Sequence, residues 1–423
     1  MANVDLTRLR AWSSVPPPVF VGDNQVELLE GGDALFPSMH KAIAAARREV
    51  WLATYIFHDD PSAQSMAQVL REAAARGVAV HVVVDGFGCL ATMEAVRRLF
   101  KGSGVRLEVF RPLDRWYAWL QPGQLRRLHL KLSVCDESVA FVGGINLIDD
   151  RLDMRHGWQE QPRLDYAVQI EGPLAQAVHA TARAMWARAH LVSNWREEVL
   201  NLARSPARMD EARGMVRQLR GAIRVGSAEP AGPMLAAFLV RDNLRQRRAI
   251  ERSYVEAIRR AHTRVDIAVP YFYPGRSFRL VLRRAARRGV QVRLLLQGKI
   301  DYRIAAMAAQ ALYDELRANG VRIFEYTPAF LHAKVAVVDD DWATVGSSNI
   351  DPLSLLLNLE ANVVVRDPGF SRALAARLET VFAASAEVTG RPAGSGWHGW
   401  LRRALVAWGA NVYLRIAGIT GRY

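Results

Sequence analysis

Residues 129–136 read HLKLSVCD and residues 143–146 read GGIN, and the same pattern returns near the other end of the chain. There, residues 332–339 read HAKVAVVD and residues 346–349 read GSSN. In both copies a Lys follows the His by two positions, an Asp follows the Lys by five, and an Asn follows the Asp by ten. Two copies with equal spacing predict an internal repeat in which each half carries part of a site.

The sequence around the two copies repeats as well. REAAARGVAVHVVVDG at 71–86 matches RRAARRGVQVRLLLQG at 283–298, and each reads as a helix that stops at a Gly before a β-rich run. We therefore predict an α/β fold of two homologous domains related by pseudo-twofold symmetry, with the active site at their interface. The predicted parts are a first domain at 1–202, a linker at 203–235, a second domain at 236–388 and a C-terminal segment at 389–423 that has no counterpart in the first half.

The composition indicates a folded, basic protein. Half of the 423 residues are hydrophobic, which excludes wholesale disorder, and the formal net charge is +14. That charge favours an anionic partner, either nucleic acid or an acidic membrane face, although a basic surface without a specific partner is also possible. Only five of the 56 basic residues are Lys, and two of them, Lys131 and Lys334, occupy the paired motif positions.

Cysteine content and the chain start favour a cytoplasmic protein. Cys89 and Cys135 are too few and too far apart for a disulfide framework or a metal site, as expected in a reducing compartment. The opening residues lack the apolar core of a signal peptide, and no apolar run approaches the about 20 residues of a membrane span.

The motif spacing suits phosphate chemistry. Residues i and i+2 of a strand project from the same face, so each His and its Lys point to the same side. The Gly-Gly or Gly-Ser turn that follows can bring backbone amides and the amide of Asn146 or Asn349 to an anion. This inventory is short of carboxylate metal ligands, so we predict phosphoryl chemistry without a metal or another cofactor.

The doubled HxKxxxxD pattern with GGxN or GSxN resembles the phospholipase D superfamily, and within it the short bacterial cardiolipin synthases. The resemblance covers almost the whole chain, including 28–60, Arg241-Asp242-Asn243, 342–354 and 358–362. It implies two phospholipase D-type α-β-α sandwich domains and transfer of a phosphatidyl group from one phospholipid, phosphatidylglycerol being the expected donor, to another. The alternatives are a phospholipase D-type hydrolase, a metal-independent nuclease, and a membrane-binding protein without activity.

The resemblance also implies roles for individual residues. His129 acts as the nucleophile that forms a phosphohistidine, and His332 acts as the acid and base, both by analogy. Lys131, Lys334, Asn146 and Asn349 hold the phosphate oxygens, and Ser347 offers a hydroxyl that Gly144 cannot. Asp165 and Glu360 are candidates to orient the imidazoles. Asp136 and Asp339 belong to the catalytic motif and are expected to fix the turn that follows them rather than to touch substrate.

Two aromatic segments are candidates for membrane contact. The first contains Trp116, Tyr117 and Trp119 beside several Arg, a composition that could also stack single-stranded bases. The second carries Trp397, Trp400 and Trp408 on one helical stripe, which could instead pack on the core. We expect a phospholipid substrate, an anionic membrane surface as partner, and neither nucleic acid nor an obligate protein partner. The expected location is peripheral, on the cytoplasmic face of the bacterial inner membrane.

Overall fold

The computed structural model describes residues 18–112, 126–193, 232–241, 247–299, 312–351 and 358–389. Within them the chain forms two large sheets, one built mainly from each half, and a small two-stranded sheet. The strands of the first half are β1 (Gln25–Glu30), β2 (Glu49–Thr54), β3 (Ala79–Asp85), β4 (Arg106–Phe110), β5 (Arg127–Leu128), β6 (Leu132–Cys135), β7 (Val139–Gly143), β8 (Leu152–Asp153), β9 (Gly157–Trp158) and β10 (Tyr166–Glu171). Those of the second half are β11 (Leu235–Arg241), β12 (Arg264–Ala268), β13 (Gln291–Gln297), β14 (Arg322–Tyr326), β15 (Val335–Val338), β16 (Trp342–Gly346), β17 (Asn358–Arg366) and β18 (Ala386–Glu387).

The two sheets share one topology. The first has the strand order β1-β10-β7-β6-β2-β3-β4, and the second has β11-β17-β16-β15-β12-β13-β14, extended by β18. In the first sheet β2, β3 and β4 are parallel, and β6 runs antiparallel to β2. The same relations join the equivalent strands of the second sheet. The predicted repeat of α/β domains is therefore confirmed.

Helices cover both faces of each sheet. They are α1 (Gly31–Ala45), α2 (Pro61–Ala75), α3 (Met93–Phe100), α4 (Leu174–Ser193), α5 (Ala249–Arg260), α6 (Arg276–Arg287) and α7 (Pro368–Ala383). Residues of α1, α2 and α3 share one core with the outer face of the first sheet, and those of α5 and α6 do the same for the second sheet. A third core holds α4, α7 and strands of both halves, so it lies between the domains. Each half is an α-β-α sandwich.

Local signals set the helix ends. Asp60 caps α2 by accepting a hydrogen bond from the Ala63 amide at 3.0 Å, and Pro61 occupies the first helical turn. Gly77 follows α2 with φ of 90°, and Gly289 follows α6 with φ of 93°. A residue with a Cβ is strained at such angles, so the repeated helix-Gly-Val pattern marks a backbone requirement.

Several predictions concern features that the structure does not describe. The six aromatic residues predicted to contact the membrane lie outside the described residues: Trp116, Tyr117, Trp119, Trp397, Trp400 and Trp408. The bounds of the four predicted parts of the chain remain predictions. Of the helices that the structure describes, none combines the length and apolar character needed to cross a bilayer.

Candidate active site

Both motif histidines lie at the sheet edge where the parallel strands end. Because β6 is antiparallel to β2, residues just before β6 lie beside the carboxyl end of β2. Lys131 immediately precedes β6, and Lys334 immediately precedes β15 in the equivalent place. Each His stands two residues before its Lys, so the four side chains converge where the two domains meet.

Backbone hydrogen bonds from one half hold the histidine of the other. The His129 amide donates to the carbonyl of Leu359 at 3.0 Å, and the His332 amide donates to the carbonyl of Leu164 at 2.8 Å. Leu128 also pairs with Leu359, and Leu164 bridges to Leu331. These contacts are reciprocal, as a twofold relation between two like surfaces requires.

The carboxylates that orient the imidazoles cross the interface as well. His129 Nδ1 lies 2.9 Å from Glu360 Oε2, and His332 Nδ1 lies 2.6 Å from Asp165 Oδ2. Both carboxylates are buried. Binding through Nδ1 leaves Nε2 of each ring to meet substrate, so one active site is assembled from crossed pairs.

The two lysines are enclosed beside these rings. Their side chains are buried, and each ammonium donates to the carbonyl of its own histidine, at 2.9 Å for Lys131 and more closely for Lys334. Burial lowers the pKa of Lys131 to about 7 and that of Lys334 to about 8, with Glu360 and Asp165 opposing the shift. Two ammonium groups enclosed beside the histidines can bind a phosphate anion.

The surroundings also shift the histidines and their carboxylates. Burial lowers the pKa of His129 to about 4 despite Glu360, and burial and then Lys334 hold the pKa of His332 well below its usual range. Burial raises the pKa of Asp165 to about 7, whereas His129 and Arg241 hold the pKa of Glu360 below its usual range despite burial. The pKa of Asp165 is thus shifted upward and that of Glu360 downward, so the two His–carboxylate pairs have different electrostatic environments.

The lysine values predict an alkaline limit to activity. Each lysine is charged below its pKa, so the positive field around the phosphate is lost as pH rises through about 7 to 8. We expect kcat/KM, which reports the free enzyme, to fall above about pH 8, and the limit for kcat to lie at higher pH because a bound phosphate stabilises the ammonium. Rates measured from pH 5 to 10 test this, and a kcat/KM that stays level through about pH 10 would contradict it.

Ser347 does not have the predicted role. Its side chain is buried, and its hydroxyl donates to Glu360 Oε2 while accepting from the Ala361 amide at 3.1 Å. At the equivalent Gly144, a Cβ would lie 2.3 Å from Asp165 Oδ1. Ser347 thus positions the longer Glu360, whereas the shorter Asp165 occupies the space that a side chain at 144 would need. The prediction that Ser347 binds phosphate is wrong.

The two motif asparagines follow β7 and β16, which pair with the strands that begin directly after the motif lysines. Asn146 is buried, and its Oδ1 accepts from the Ile56 amide at 3.2 Å, which turns its NH2 group toward other partners. Asn349 Oδ1 is buried without a hydrogen-bond partner in the part of the chain that the structure describes. Their role as phosphate ligands stays a prediction.

Asp136 and Asp339 act at the far end of the strands. The Asp136 carboxylate accepts from the amides of Arg47, Arg48 and Glu49 at 2.8 to 2.9 Å. Asp339 does the same for the amides of His262, Thr263 and Arg264. They therefore fix the entry to β2 and β12, not the turn that follows them, and their place among the catalytic residues is corrected to a structural one.

Removing either aspartate should lower stability. Asp136→Ala leaves three backbone amides without their charged acceptor, and we expect a loss of about 2–3 kcal/mol in the free energy of unfolding. Thermal unfolding at pH 7 measures it, with the exposed Glu160→Ala as the control. A melting temperature equal to that of the control would show that these hydrogen bonds contribute little.

Sequence reasoning missed three side chains around the histidines. The ring of Tyr55 lies 4.9 Å from that of His129 and 5.4 Å from the Lys131 ammonium. Arg241 is buried, with Nη2 3.5 Å from Glu360 Oε1, and Asn358 Nδ2 donates to the same oxygen at 3.3 Å. The sequence signal for Arg241 was a lone Arg at the end of the otherwise apolar strand β11.

One group of side chains outside the site has metal-binding composition. Glu49, Glu137 and His179 bring their ligand atoms within 4.8 Å of one another. Glu49 Oε1 lies 2.9 Å from Nε2 of His179, and Glu137 Oε1 lies 3.7 Å from Nδ1 of the same ring. The two carboxylates therefore face different nitrogens of the imidazole. The prediction that no metal takes part stays a prediction.

Two His–carboxylate pairs and two lysines around one pocket can displace an alcohol from a phosphodiester by nucleophilic and acid–base catalysis. With two such sandwich domains and crossed HxK motifs, the fold and site define a phospholipase D-type enzyme.

Comparison with known proteins narrows this class. The model of the family described as "Cardiolipin synthase, PLD-like domain" matches residues 39–186 and 254–384. The chain belongs to this family and is a phosphatidyltransferase.

The chain is also similar to individual proteins of known name and to a solved structure. The chain is 37% identical to cardiolipin synthase B of Salmonella typhimurium over 359 residues, which cover 85% of this chain and 80% of that protein. It is 33% identical to cardiolipin synthase B of Escherichia coli K12 over 374 residues, 86% of this chain and 82% of that protein. The crystal structure of phosphatidylserine synthase from Haemophilus influenzae Rd KW20 shares the fold, with a TM-score of 0.65, 14% identity and coverage of 97% of this chain and 99% of that one.

Proposed function

We propose that this protein makes cardiolipin by moving a phosphatidyl group from phosphatidylglycerol to the terminal hydroxyl of a second phosphatidylglycerol. Membership of the cardiolipin synthase family supports this function over that of a hydrolase or nuclease. The observation that carries the mechanism is the crossed arrangement of His129 with Glu360 and His332 with Asp165.

In the first step His129 Nε2 attacks the phosphorus, and the bond from phosphorus to the glycerol oxygen breaks. Glu360 holds the Nδ1 proton of His129 and keeps its own charge, so Nε2 presents a lone pair. Asp165 and His332 form a pair whose carboxyl pKa is raised to about 7, so that pair can supply a proton near neutral pH. His332 passes the proton to the departing glycerol, which supports the assignment of the two roles.

In the second step the hydroxyl of the acceptor lipid attacks the phosphohistidine. His332 accepts the hydroxyl proton, the new oxygen–phosphorus bond forms, and the bond to His129 breaks, which restores both rings. Lys131 and Lys334, with Asn146 and Asn349, stabilise the phosphoryl oxygens in both transition states. No metal ion or other cofactor is invoked.

A lipid hydroxyl must outcompete water for the phosphohistidine. The site favours this because its side chains are enclosed: 13% of the His129 side chain and 26% of the His332 side chain are exposed. Low exposure limits bulk water, whereas a bound alcohol is held at high effective concentration.

Product analysis tests the proposal. Purified protein and phosphatidylglycerol vesicles are incubated with excess chelator, and lipids are separated by mass. We expect cardiolipin with an equal amount of glycerol; phosphatidic acid as the sole lipid product would overturn the proposal in favour of a hydrolase.

Exposed apolar side chains support a peripheral membrane location. Phe87 and Leu90, in the loop after β3, are 41% and 50% exposed; Met154 and Trp158, on the β8–β9 hairpin, are 48% and 61% exposed. The strands that precede these segments, β3 and β7, run in the same direction within the first sheet. Both segments therefore leave the sheet at the edge that carries His129. A lipid surface in contact with them would lie beside the active site. The aromatic segments at 113–125 and 389–423 remain further candidates.

Substitution of the hairpin tests the membrane contact. Met154→Ser with Trp158→Ser removes two side chains that would enter the bilayer, and we expect binding to phosphatidylglycerol vesicles to weaken at least about tenfold. Cosedimentation measures binding, and Leu280→Ser, 39% exposed on α6, is the matched control. Equal binding by the hairpin variant and the control would assign the contact elsewhere.

The proposed face is the cytoplasmic one. Cys89 and Cys135 are both buried free thiols, which suits a reducing compartment. The cytoplasmic leaflet is anionic and would attract a chain with a net charge of +14.

A further inference from the structure

A third cation precedes the first HxK motif with the same spacing. Arg127, His129 and Lys131 stand at alternate positions, so they project from one face, whereas Leu128 and Leu130 are fully buried on the other. The equivalent residue of the second half is Phe330, two positions before His332. The first HxK motif is therefore preceded by a cation and the second by an apolar ring.

Arg127 is almost enclosed and incompletely paired. It is 8% exposed, its guanidinium lies 5.0 Å from the ring centroid of Phe87, and its Nη1 is buried with no hydrogen-bond partner in the described ranges. A buried guanidinium nitrogen that donates no hydrogen bond is costly, so it is a candidate to meet a ligand oxygen.

A second arginine shares this environment. Arg111 follows β4, next to the loop after β3, where the Gly86 amide donates to the Phe110 carbonyl at 2.9 Å. Its Nη1 is likewise buried and unpartnered within the described ranges. Burial, and then the like charges of Arg126, Arg188 and Arg127, lower the pKa of Arg111 to about 10.

The nearby carboxylate does not satisfy them. Asp85 Oδ1 accepts from the amides of Phe87 and Gly88, and Oδ2 accepts from the Leu128 amide at 2.7 Å. Asp85 thus fixes the loop and the start of β5 while its charge only partly offsets the arginines. The cluster keeps a positive excess and unused donors, the two features of an anion site.

We propose that Arg111 and Arg127 bind the phosphate of the acceptor phospholipid. This inference rests on the proposed function, in which two phosphates meet: one reacts between the lysines, and the other belongs to the acceptor. Residues two apart on a strand are separated by about 7 Å, which suits two phosphates joined by a single glycerol. Binding here would place the acceptor's terminal hydroxyl at the phosphohistidine and favour a lipid that carries a phosphate over water or a neutral alcohol.

Acceptor competition tests the site. Wild type, Arg127→Gln and Arg111→Gln are given phosphatidylglycerol vesicles with ethanol, a neutral acceptor, and cardiolipin and phosphatidylethanol are measured together. We expect each variant to lose cardiolipin formation about tenfold or more while phosphatidylethanol formation stays within about twofold. Arg127→Lys should recover part of the cardiolipin activity, and the exposed Arg71→Gln serves as the control.

The outcomes separate this inference from the proposed function. Loss of both products by the same factor, in variants whose thermal unfolding matches that of wild type, would overturn the acceptor site. A wild type that makes no cardiolipin would instead overturn the proposed function. Soluble glycerol phosphate shows whether the site binds a free phosphate ester or only a phospholipid. If it inhibits cardiolipin formation by wild type but not by Arg127→Gln, the site also binds the free ester. If it does not inhibit wild type while the arginine variants lose cardiolipin formation selectively, the site binds the phospholipid alone.

Discussion

Replacing His129 or His332 by alanine should reduce cardiolipin formation at least about 10⁴-fold. Without His129 no phosphohistidine forms, and without His332 neither the departing glycerol nor the incoming hydroxyl exchanges its proton. Because the two residues act as a unit, the double variant should be about as inactive as either single one. Initial rates of cardiolipin formation measure these effects.

The matched control is His262→Ala. His262 is exposed, and among the described residues its backbone amide donates to Asp339 while its side chain has no hydrogen bond. It should retain wild-type activity. Substantial turnover by either active-site variant would remove the two-histidine mechanism.

The crossed pairs predict a second large effect with an unusual pattern. Glu360→Gln should impair the step at His129, and Asp165→Asn the step at His332, each by about 10²- to 10⁴-fold. The carboxylate of one half should thus reproduce the defect of the histidine in the other half. Glu360→Gln also removes a buried negative charge 3.5 Å from the buried Arg241, so a lower melting temperature is expected for this variant.

A donor lipid with an acidic leaving group separates the two defects. Phosphatidyl-p-nitrophenol needs little protonation on departure, so it should restore nitrophenol release by His332→Ala and Asp165→Asn but not by His129→Ala or Glu360→Gln. Adding Glu360→Gln to His129→Ala should cause little further loss, because both act at one step. Rescue of Glu360→Gln together with failure to rescue Asp165→Asn would reverse the assigned roles.

The repeat could be predicted from sequence because it depends on local patterns. The Gly77 and Gly289 turns and the alternate placement of His and Lys follow from helix stops and strand periodicity. The two sheets then share one strand order because the halves repeat, although the order itself comes from the structure. Asp165 and Glu360 could also be selected as candidates, since each lies at the start of a strand that follows a motif.

The crossing of these pairs could not be predicted from sequence. Glu360 lies 231 positions from His129, and their contact depends on how the two domains dock. Ser347 was misread for a related reason: the motif shows a hydroxyl near the site, but its direction depends on the buried Glu360. Asp136 and Asp339 share the motif with the histidines, yet a strand separates them in space, so proximity in sequence was misleading.

The central claim is that the phosphatidyl group passes through a histidine, and the stereochemistry at phosphorus tests it directly. Each in-line displacement inverts the phosphorus, so two successive displacements restore its configuration. With phosphatidylglycerol made chiral at phosphorus and ethanol as acceptor, we expect phosphatidylethanol of retained configuration. Inverted product would mean that the acceptor attacks the donor lipid directly, and it would contradict the phosphohistidine mechanism.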